Sequence, residues 1–250
     1  MSLQTKISVV IPARMESSRL PGKILLDIGG KPMLRHVWER ALEMRLADEI
    51  VIATDSSEVM ETAQSWGAVA HLTPKECPNG TARIATLLDR LIGDFIINLQ
   101  GDEPLMESAL LDGLAESWRQ DGGDVVTAVR RIEDDAELRD PNLVKVVLGQ
   151  RSQALYFSRS PVPFLRDAAD DCWVAHHDYW AHIGIYGYSR KTLEQYSTLA
   201  PGTLEQIERL EQLRFLEHGF SIRTVNTQYH PLGIDTPQDL ERARALFATK

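Results

Sequence analysis

The segment Pro12-Ala13-Arg14-Met15-Glu16-Ser17-Ser18-Arg19-Leu20-Pro21-Gly22-Lys23 carries three cations and two hydroxyls directly after the apolar run Ile7 to Ile11. Guanidinium and ammonium groups beside exposed backbone N–H groups suit a polyphosphate, and the carboxyl edge of a strand is where open α/β sheets bind ligands. The segment has neither the GxxxxGK[ST] spacing of a Walker A loop nor a GxGxxG fingerprint, which disfavours an NAD-linked Rossmann enzyme. Taken alone, a solvated basic loop is an equal reading. A second segment, Asn98-Leu99-Gln100-Gly101-Asp102-Glu103-Pro104, follows the apolar run Phe95 to Ile97. Asp102 is the first candidate metal ligand, because Mg²⁺ wants hard oxygen donors while it bridges substrate phosphates; on this segment alone, Gly101-Asp102 and Pro104 read more simply as a turn. A third, Gly233-Ile234-Asp235-Thr236-Pro237-Gln238-Asp239, spells a helix start with Thr236 as N-cap, Pro237 at N1 and Asp239 at N3. Asp235 is not needed by that cap and is a second candidate ligand, although any carboxylate is welcome at a helix N-terminus.

These residues need a scaffold that delivers them to one edge. Short β-branched runs alternate with helical patterns: Ile7 to Ile11 then a helix from Pro32, Glu49 to Ala53 then one from Ser56, Phe95 to Leu99 then one over Met106 to Arg119. Near-continuous apolar strands between helices predict an α/β, doubly wound, mostly parallel sheet covered on both faces. From Asp124 strands follow one another, at Val125 to Val129, Val144 to Leu148, Ala154 to Phe157 and His182 to Tyr188, which predicts a smaller mixed-sheet second lobe at about 124–190 within a single domain. Between them Ser160 to His182, with Pro161, Pro163 and Asp167, Asp170 and Asp171, reads as a functional flap or a mobile loop. Helices over Thr203 to His218 and Thr236 to Phe247 complete the pattern.

Composition excludes several classes. The 250 residues are 43% hydrophobic and 25% charged, which is ordinary for a globular chain and rules out disordered and fibrous architectures. A formal charge of −9 disfavours a nucleic-acid or acidic-membrane partner, so an anionic ligand must be held by a local cationic pocket. Two distant cysteines, Cys77 and Cys172, make neither a disulfide framework nor a zinc site. No run approaches eighteen apolar residues, so a soluble, cytoplasmic protein is expected. His176 and His177 lack a carboxylate at metal-binding spacing, Trp66, Trp118, Tyr186 and Tyr188 read as core or interface, and Ser17 and Ser18 lack a nearby His base.

Order and company change these odds. The Pro12 to Lys23 loop, QGDEP at Gln100 to Pro104, Tyr156-Phe157-Ser158-Arg159, His182-Ile183-Gly184-Ile185-Tyr186-Gly187-Tyr188, Leu204-Glu205 through Glu211-Gln212-Leu213-Arg214, and Gly233-x-Asp235-Thr236-Pro237 together closely resemble one family. It is the 3-deoxy-manno-octulosonate cytidylyltransferase, or CMP-KDO synthetase, family, and the resemblance covers essentially the whole chain. It implies a nucleotide-diphospho-sugar transferase-like fold and transfer of CMP from CTP to the anomeric hydroxyl of KDO, with Mg²⁺ as cofactor, for lipopolysaccharide biosynthesis.

The resemblance implies that Lys23, Arg14 and Arg19 hold the triphosphate and leaving pyrophosphate, with Asp102 and Asp235 on the metal. The nucleotide is expected on Pro12, Ala13, Arg14, Ser17, Arg19, Lys23, Gly80, Thr81, Arg83 and Gln100. The family has Ser where this chain has Asn79 and an acid where it has Ala82, so any contact of that acid is lost. The sugar acid is expected on Gln100, Arg159, His182, Tyr186, Glu205, Glu208, Glu211 and Gln212. Glu205, Glu208 and Glu211, three apart, drift along one side of a helix, which a solvated face with a Glu205–Arg209 pair would equally produce. A homodimer formed through the second lobe by Val162, Phe164, Trp173 and Trp180 is also implied. The alternatives are a cytidylyltransferase for sialic acid or an amino-substituted KDO, and an inactive nucleotide-binding regulatory protein.

Overall fold

The structure, a computed structural model, describes residues 5–16, 20–169 and 172–248. Its strands are β1 (Ile7–Ala13), β2 (Asp27–Ile28), β3 (Lys31–Pro32), β4 (Glu49–Thr54), β5 (Val69–Leu72), β6 (Phe95–Asn98), β7 (Val125–Arg131), β8 (Lys145–Leu148), β9 (Ala154–Ser158), β10 (Trp180–Ser189) and β11 (Ile222–Asn226). Its α-helices are α1 (Met33–Leu42), α2 (Ser57–Ser65), α3 (Gly80–Ala85), α4 (Ser108–Asp121), α5 (Asp135–Arg139), α6 (Trp173–His176), α7 (Arg190–Tyr196), α8 (Thr203–Glu208), α9 (Gln212–Glu217) and α10 (Pro237–Ala248).

The main sheet runs β11-β7-β10-β6-β1-β4-β5. β1 lies parallel to β4 on one side and to β6 on the other, with β5 parallel beyond β4. The chain thus leaves β1 first toward β4 and later toward β6, and the switch in direction opens a crevice at the carboxyl ends of β1 and β6. All seven residues of β1 are buried because both faces are covered. Val9 and Ile11 point into a core shared with Leu34 and Val37 of α1, Val59 of α2 and Leu111 of α4. Val10 points into the opposite core, with Ile84 of α3, Leu193 of α7 and Leu213 of α9.

The strand-rich region after Asp124 continues this sheet. β10 enters antiparallel between β6 and β7, and β11 pairs parallel with β7. β8 branches from β10 and carries β9, both antiparallel, as a smaller extension. The segment from Ser160 to His182 is partly folded: Trp173 of α6 is buried in a satellite core with Ile132, Leu138 and Tyr179, and its backbone N–H donates to Asp135 Oδ1 at 2.9 Å. Trp173 therefore packs inside its own chain, whereas Phe164 is 72% exposed. Asp170 and Asp171 lie outside the described residues.

One expected helix is two. The Thr203 to His218 pattern breaks at Arg209, whose backbone is left-handed (φ 55°, ψ 46°). The break lets α9 fold back so that Arg214 Nε and Nη2 grip Glu205 at 2.7 and 2.6 Å. Nine residues of unbroken helix would hold the two about 13 Å apart along the axis. Glu205 thus pairs with Arg214 instead of Arg209, and the three glutamates share no single helix face.

Candidate active site

A cleft of about 410 Å³ opens at the switch point, lined by Pro12, Arg14, Glu16, Lys23, Ile24, Pro78, Asn79, Gly80, Gln100, Gly101 and Asp102. Its floor is backbone: a Cβ on Gly101 would approach the Pro12 carbonyl oxygen to 2.9 Å, and one on Gly80 the Pro12 ring to 3.1 Å. Small residues are therefore what let the loops after β1 and β6 and the start of α3 close on one another.

Lys23 is the hub. Its ammonium donates to Asp102 Oδ2 at 2.5 Å, Asp235 Oδ1 at 2.9 Å and the Ile234 carbonyl at 3.1 Å, so all three N–H groups are committed. Burial pushes the Lys23 amine down, but the two carboxylates outweigh it and hold it above the usual lysine range. Asp102 arrives on the turn after β6. Asp235 is set by the cap of α10, in which Asp239 N donates to Thr236 Oγ1 at 3.2 Å and Thr236 N to Asp239 Oδ2 at 2.9 Å, the reciprocal cap expected there. Glu103, unforeseen, sits behind Asp102 and accepts from the Tyr229 hydroxyl at 3.1 Å. Burial, then the charge of Asp102, pushes its carboxyl up to about 7.

Two carboxylates converging on one cation form a hard-oxygen donor set. That set fits a Mg²⁺ ion, which characteristically takes one or two protein carboxylates and completes its shell with phosphates and water. No group of three or more His, Cys, Asp or Glu side chains able to hold a metal occurs among the described residues.

The other expected nucleotide residues divide. Arg14, Gly80 and Gln100 line the cleft with Pro12, and Ala13 is buried beneath them. Ser17 and Arg19 lie outside the described residues. Arg83 does not line the cleft: fully buried, it donates from Nη2 to Asp55 Oδ2 at 2.8 Å and from Nη1 to Thr73 Oγ1, while Asp55 Oδ1 accepts from Met15 N at 3.2 Å. It braces the loop after β1 from behind. Thr81 is likewise buried, its hydroxyl 3.1 Å from that of Tyr188. Asn79, where the family has Ser, caps α3 by accepting from Ala82 N at 2.8 Å. Its amide also donates to the Tyr196 hydroxyl at 2.7 Å, which donates to Glu211 Oε1 at 3.0 Å.

The expected sugar residues divide too. Tyr186 pairs with Asn98 across β10 and β6, which sets it beside the strand end carrying Gln100 and Asp102. His182 lies 5.3 Å from Tyr186, centroid to centroid. Burial pushes the His182 imidazole down to about 3, so it is neutral at physiological pH. Gln212 is buried and its Nε2 has no partner among the described residues. Burial raises the neighbouring Glu211 carboxyl. Glu205 and Glu208, by contrast, are spent on structure: Glu205 on Arg214, and Glu208 on Ser158 Oγ at 2.6 Å and Arg159 N at 2.9 Å. Arg159 is anchored in turn, Nε to the Glu208 carbonyl at 2.8 Å and Nη1 to that of Pro141 at 2.9 Å. These internal contacts fix the positions of both carboxylates, Glu205 against α9 and Glu208 against the end of β9.

The family described as Cytidylyltransferase matches residues 8–223. A 3-deoxy-manno-octulosonate cytidylyltransferase of Solibacter usitatus (strain Ellin6076) is 45% identical over 243 residues, covering 97% of this chain and 94% of that protein. One of Escherichia coli, with the same name, is 43% identical over 244 residues, covering 98% and 97%. Among solved structures, a CMP:2-keto-3-deoxy-manno-octonic acid synthetase complexed with CTP superposes with a TM-score of 0.92 at 42% identity, covering 98% and 99%. A cytidylyltransferase of Leptospira borgpetersenii, at 19% identity and a TM-score of 0.67 over 99% of this chain and 88% of that one, shares the fold. With the matched motifs in order along one chain and the cleft built from them, this protein belongs to the 3-deoxy-manno-octulosonate cytidylyltransferase family.

Proposed function

We propose that the protein transfers CMP from CTP to the anomeric hydroxyl of 3-deoxy-D-manno-octulosonate, releasing pyrophosphate. The observation that carries this reading is the convergence of Lys23, Asp102 and Asp235 at the carboxyl edge of β1 and β6. The fold around it is superposable on a synthetase complexed with CTP. The hydroxyl oxygen attacks the α-phosphorus and gives its proton to solvent, and the bond from that phosphorus to the oxygen bridging to the β-phosphate breaks, so that oxygen leaves with the pyrophosphate. Such a reaction is driven by positioning and by charge stabilisation at the phosphates. Arg14 and Lys23 lie in the cleft where a triphosphate would be held, and Arg19 belongs to the same loop. Asp102 and Asp235 would hold Mg²⁺, which when bound neutralises phosphate charge and polarises the phosphoryl oxygens. Tyr186, His182 and Gln212 supply the sugar side, where a buried amide lacking a partner is a group that a polyhydroxylated ligand satisfies.

The cellular setting follows from the chemistry: CMP-activated KDO supplies lipopolysaccharide assembly from the cytoplasm. No helix among the described residues is long and apolar enough to cross a membrane. The active form is a homodimer. Leu155 on β9, Phe164 beyond it and Ile207 on α8 are large apolar side chains that are 56, 72 and 74% exposed, surface of the kind that a partner copy covers.

The deciding measurement is pyrophosphate release from CTP and Mg²⁺ with KDO, 8-amino-KDO and sialic acid compared side by side. KDO is expected to give the highest kcat/KM. Absence of release with all three would refute the assignment. Preference for another acid would move it to that substrate.

A further inference from the structure

β10 does not pair evenly with β7. His182 and Ile183 oppose Val129 and Ala128, but the next pair is Tyr186 with Thr127, which leaves Gly184 and Ile185 as extra residues in a bulge. The fully buried Thr127 hydroxyl sits inside that bulge. It lies 2.7 Å from the Ile185 carbonyl, 3.3 Å from the Ile183 carbonyl and 3.0 Å from His182 Nε2. A hydroxyl has one proton to give, and both carbonyls can only accept. The proton goes to the nearer carbonyl, and the oxygen is then left to accept from the imidazole. A neutral ring protonated at Nε2 is bare at Nδ1.

We propose that Thr127 is a positioning residue that sets the tautomer of His182, so that His182 Nδ1 serves as an acceptor for a hydroxyl of the sugar acid. This rests on the assignment of the β10 face to the sugar substrate. It changes what His182 does there: a neutral acceptor repels a carboxylate, so the substrate carboxylate is turned away from His182 and a hydroxyl is turned toward it.

Thr127→Val keeps the shape and removes the hydroxyl, while Thr127→Ser keeps the hydroxyl. Long-range ¹⁵N–¹H correlation spectra of histidine-labelled protein, with His182 assigned by its loss in His182→Asn, read the tautomer directly. Wild type and Thr127→Ser are expected to show His182 protonated at Nε2, and Thr127→Val a mixture of tautomers. The KM for KDO is expected to rise about tenfold in Thr127→Val and to stay near wild type in Thr127→Ser, with the KM for CTP unchanged in both. A wild-type His182 protonated at Nδ1 would overturn the proposal. So would a Thr127→Val enzyme that keeps its tautomer and its KM, or one whose KM values for both substrates rise together. A wild-type enzyme that releases no pyrophosphate with any of the sugar acids refutes the assigned function itself, a result distinct from turnover with the wrong tautomer.

Discussion

Lys23 has three donors and three oxygen partners, two of them carboxylates, so its positive charge is held in the cleft before any nucleotide arrives. Lys23→Met removes the charge that faces a triphosphate, and kcat for pyrophosphate release is expected to fall by about 10²- to 10³-fold. Lys23→Arg should rescue little of it, because a planar guanidinium cannot reproduce three contacts made from one nitrogen. His182 makes a prediction about stability. Its imidazole is held near 3 by burial, whereas an exposed histidine titrates near 6.5. Between those values the unfolded chain takes up a proton that the folded chain refuses, so stability falls as pH drops through this window. By pH 5 the loss is about 2 kcal/mol relative to neutral pH, and His182→Asn should remove that part of the slope in urea unfolding. Not all of this chemistry is visible locally. Asp102 and Asp235 stand out because a strand end and a helix cap surround them. Arg83 resembles a phosphate ligand in sequence, yet its partner Asp55 is 28 residues away and turns it into a buried brace.

Among the elements, α8 and α9 owe their arrangement to one ion pair. Glu205 and Arg214 are 14 and 12% exposed and meet through two hydrogen bonds. A double-mutant cycle of Glu205→Gln and Arg214→Met is expected to give a coupling of about 1–3 kcal/mol. The KM for the sugar acid should rise in both single variants, because α9 begins at Gln212. β1, β4 and β6 are legible as apolar runs because helices cover both their faces. β5 and β11 are not, since exposed Val69 and Leu72 in one and alternating burial in the other leave no continuous run. The break at Arg209 leaves no mark either, as it requires a left-handed backbone at a residue type that rarely adopts one. Thr127 and Tyr196, both central to the networks on the sugar side, look like ordinary strand and helix residues until β7, β10 and α7 are assembled.

For the whole molecule, the exposed Leu155, Phe164 and Ile207 predict association. Light scattering is expected to give twice the chain mass, and Phe164→Glu with Ile207→Glu to shift it toward the monomer; a wild-type monomer across micromolar concentrations would exclude the dimer. The overall class of the fold is readable from the alternation of runs and helices. The site is readable only where its residues lie in ordered motifs, because the rest depends on contacts between distant segments. The longest of these has a consequence in time. Lys23 and Asp235 are 212 residues apart in the chain. At a synthesis rate of about 5–20 residues per second, Asp235 leaves the ribosome roughly 10–40 s after Lys23. For that interval the growing chain holds the loop after β1 and the strands around it without the residue that completes the site. The nascent protein is therefore a sheet before its cleft is complete, and premature termination upstream of Asp235 yields a chain with most of the core but without the second carboxylate that meets Lys23.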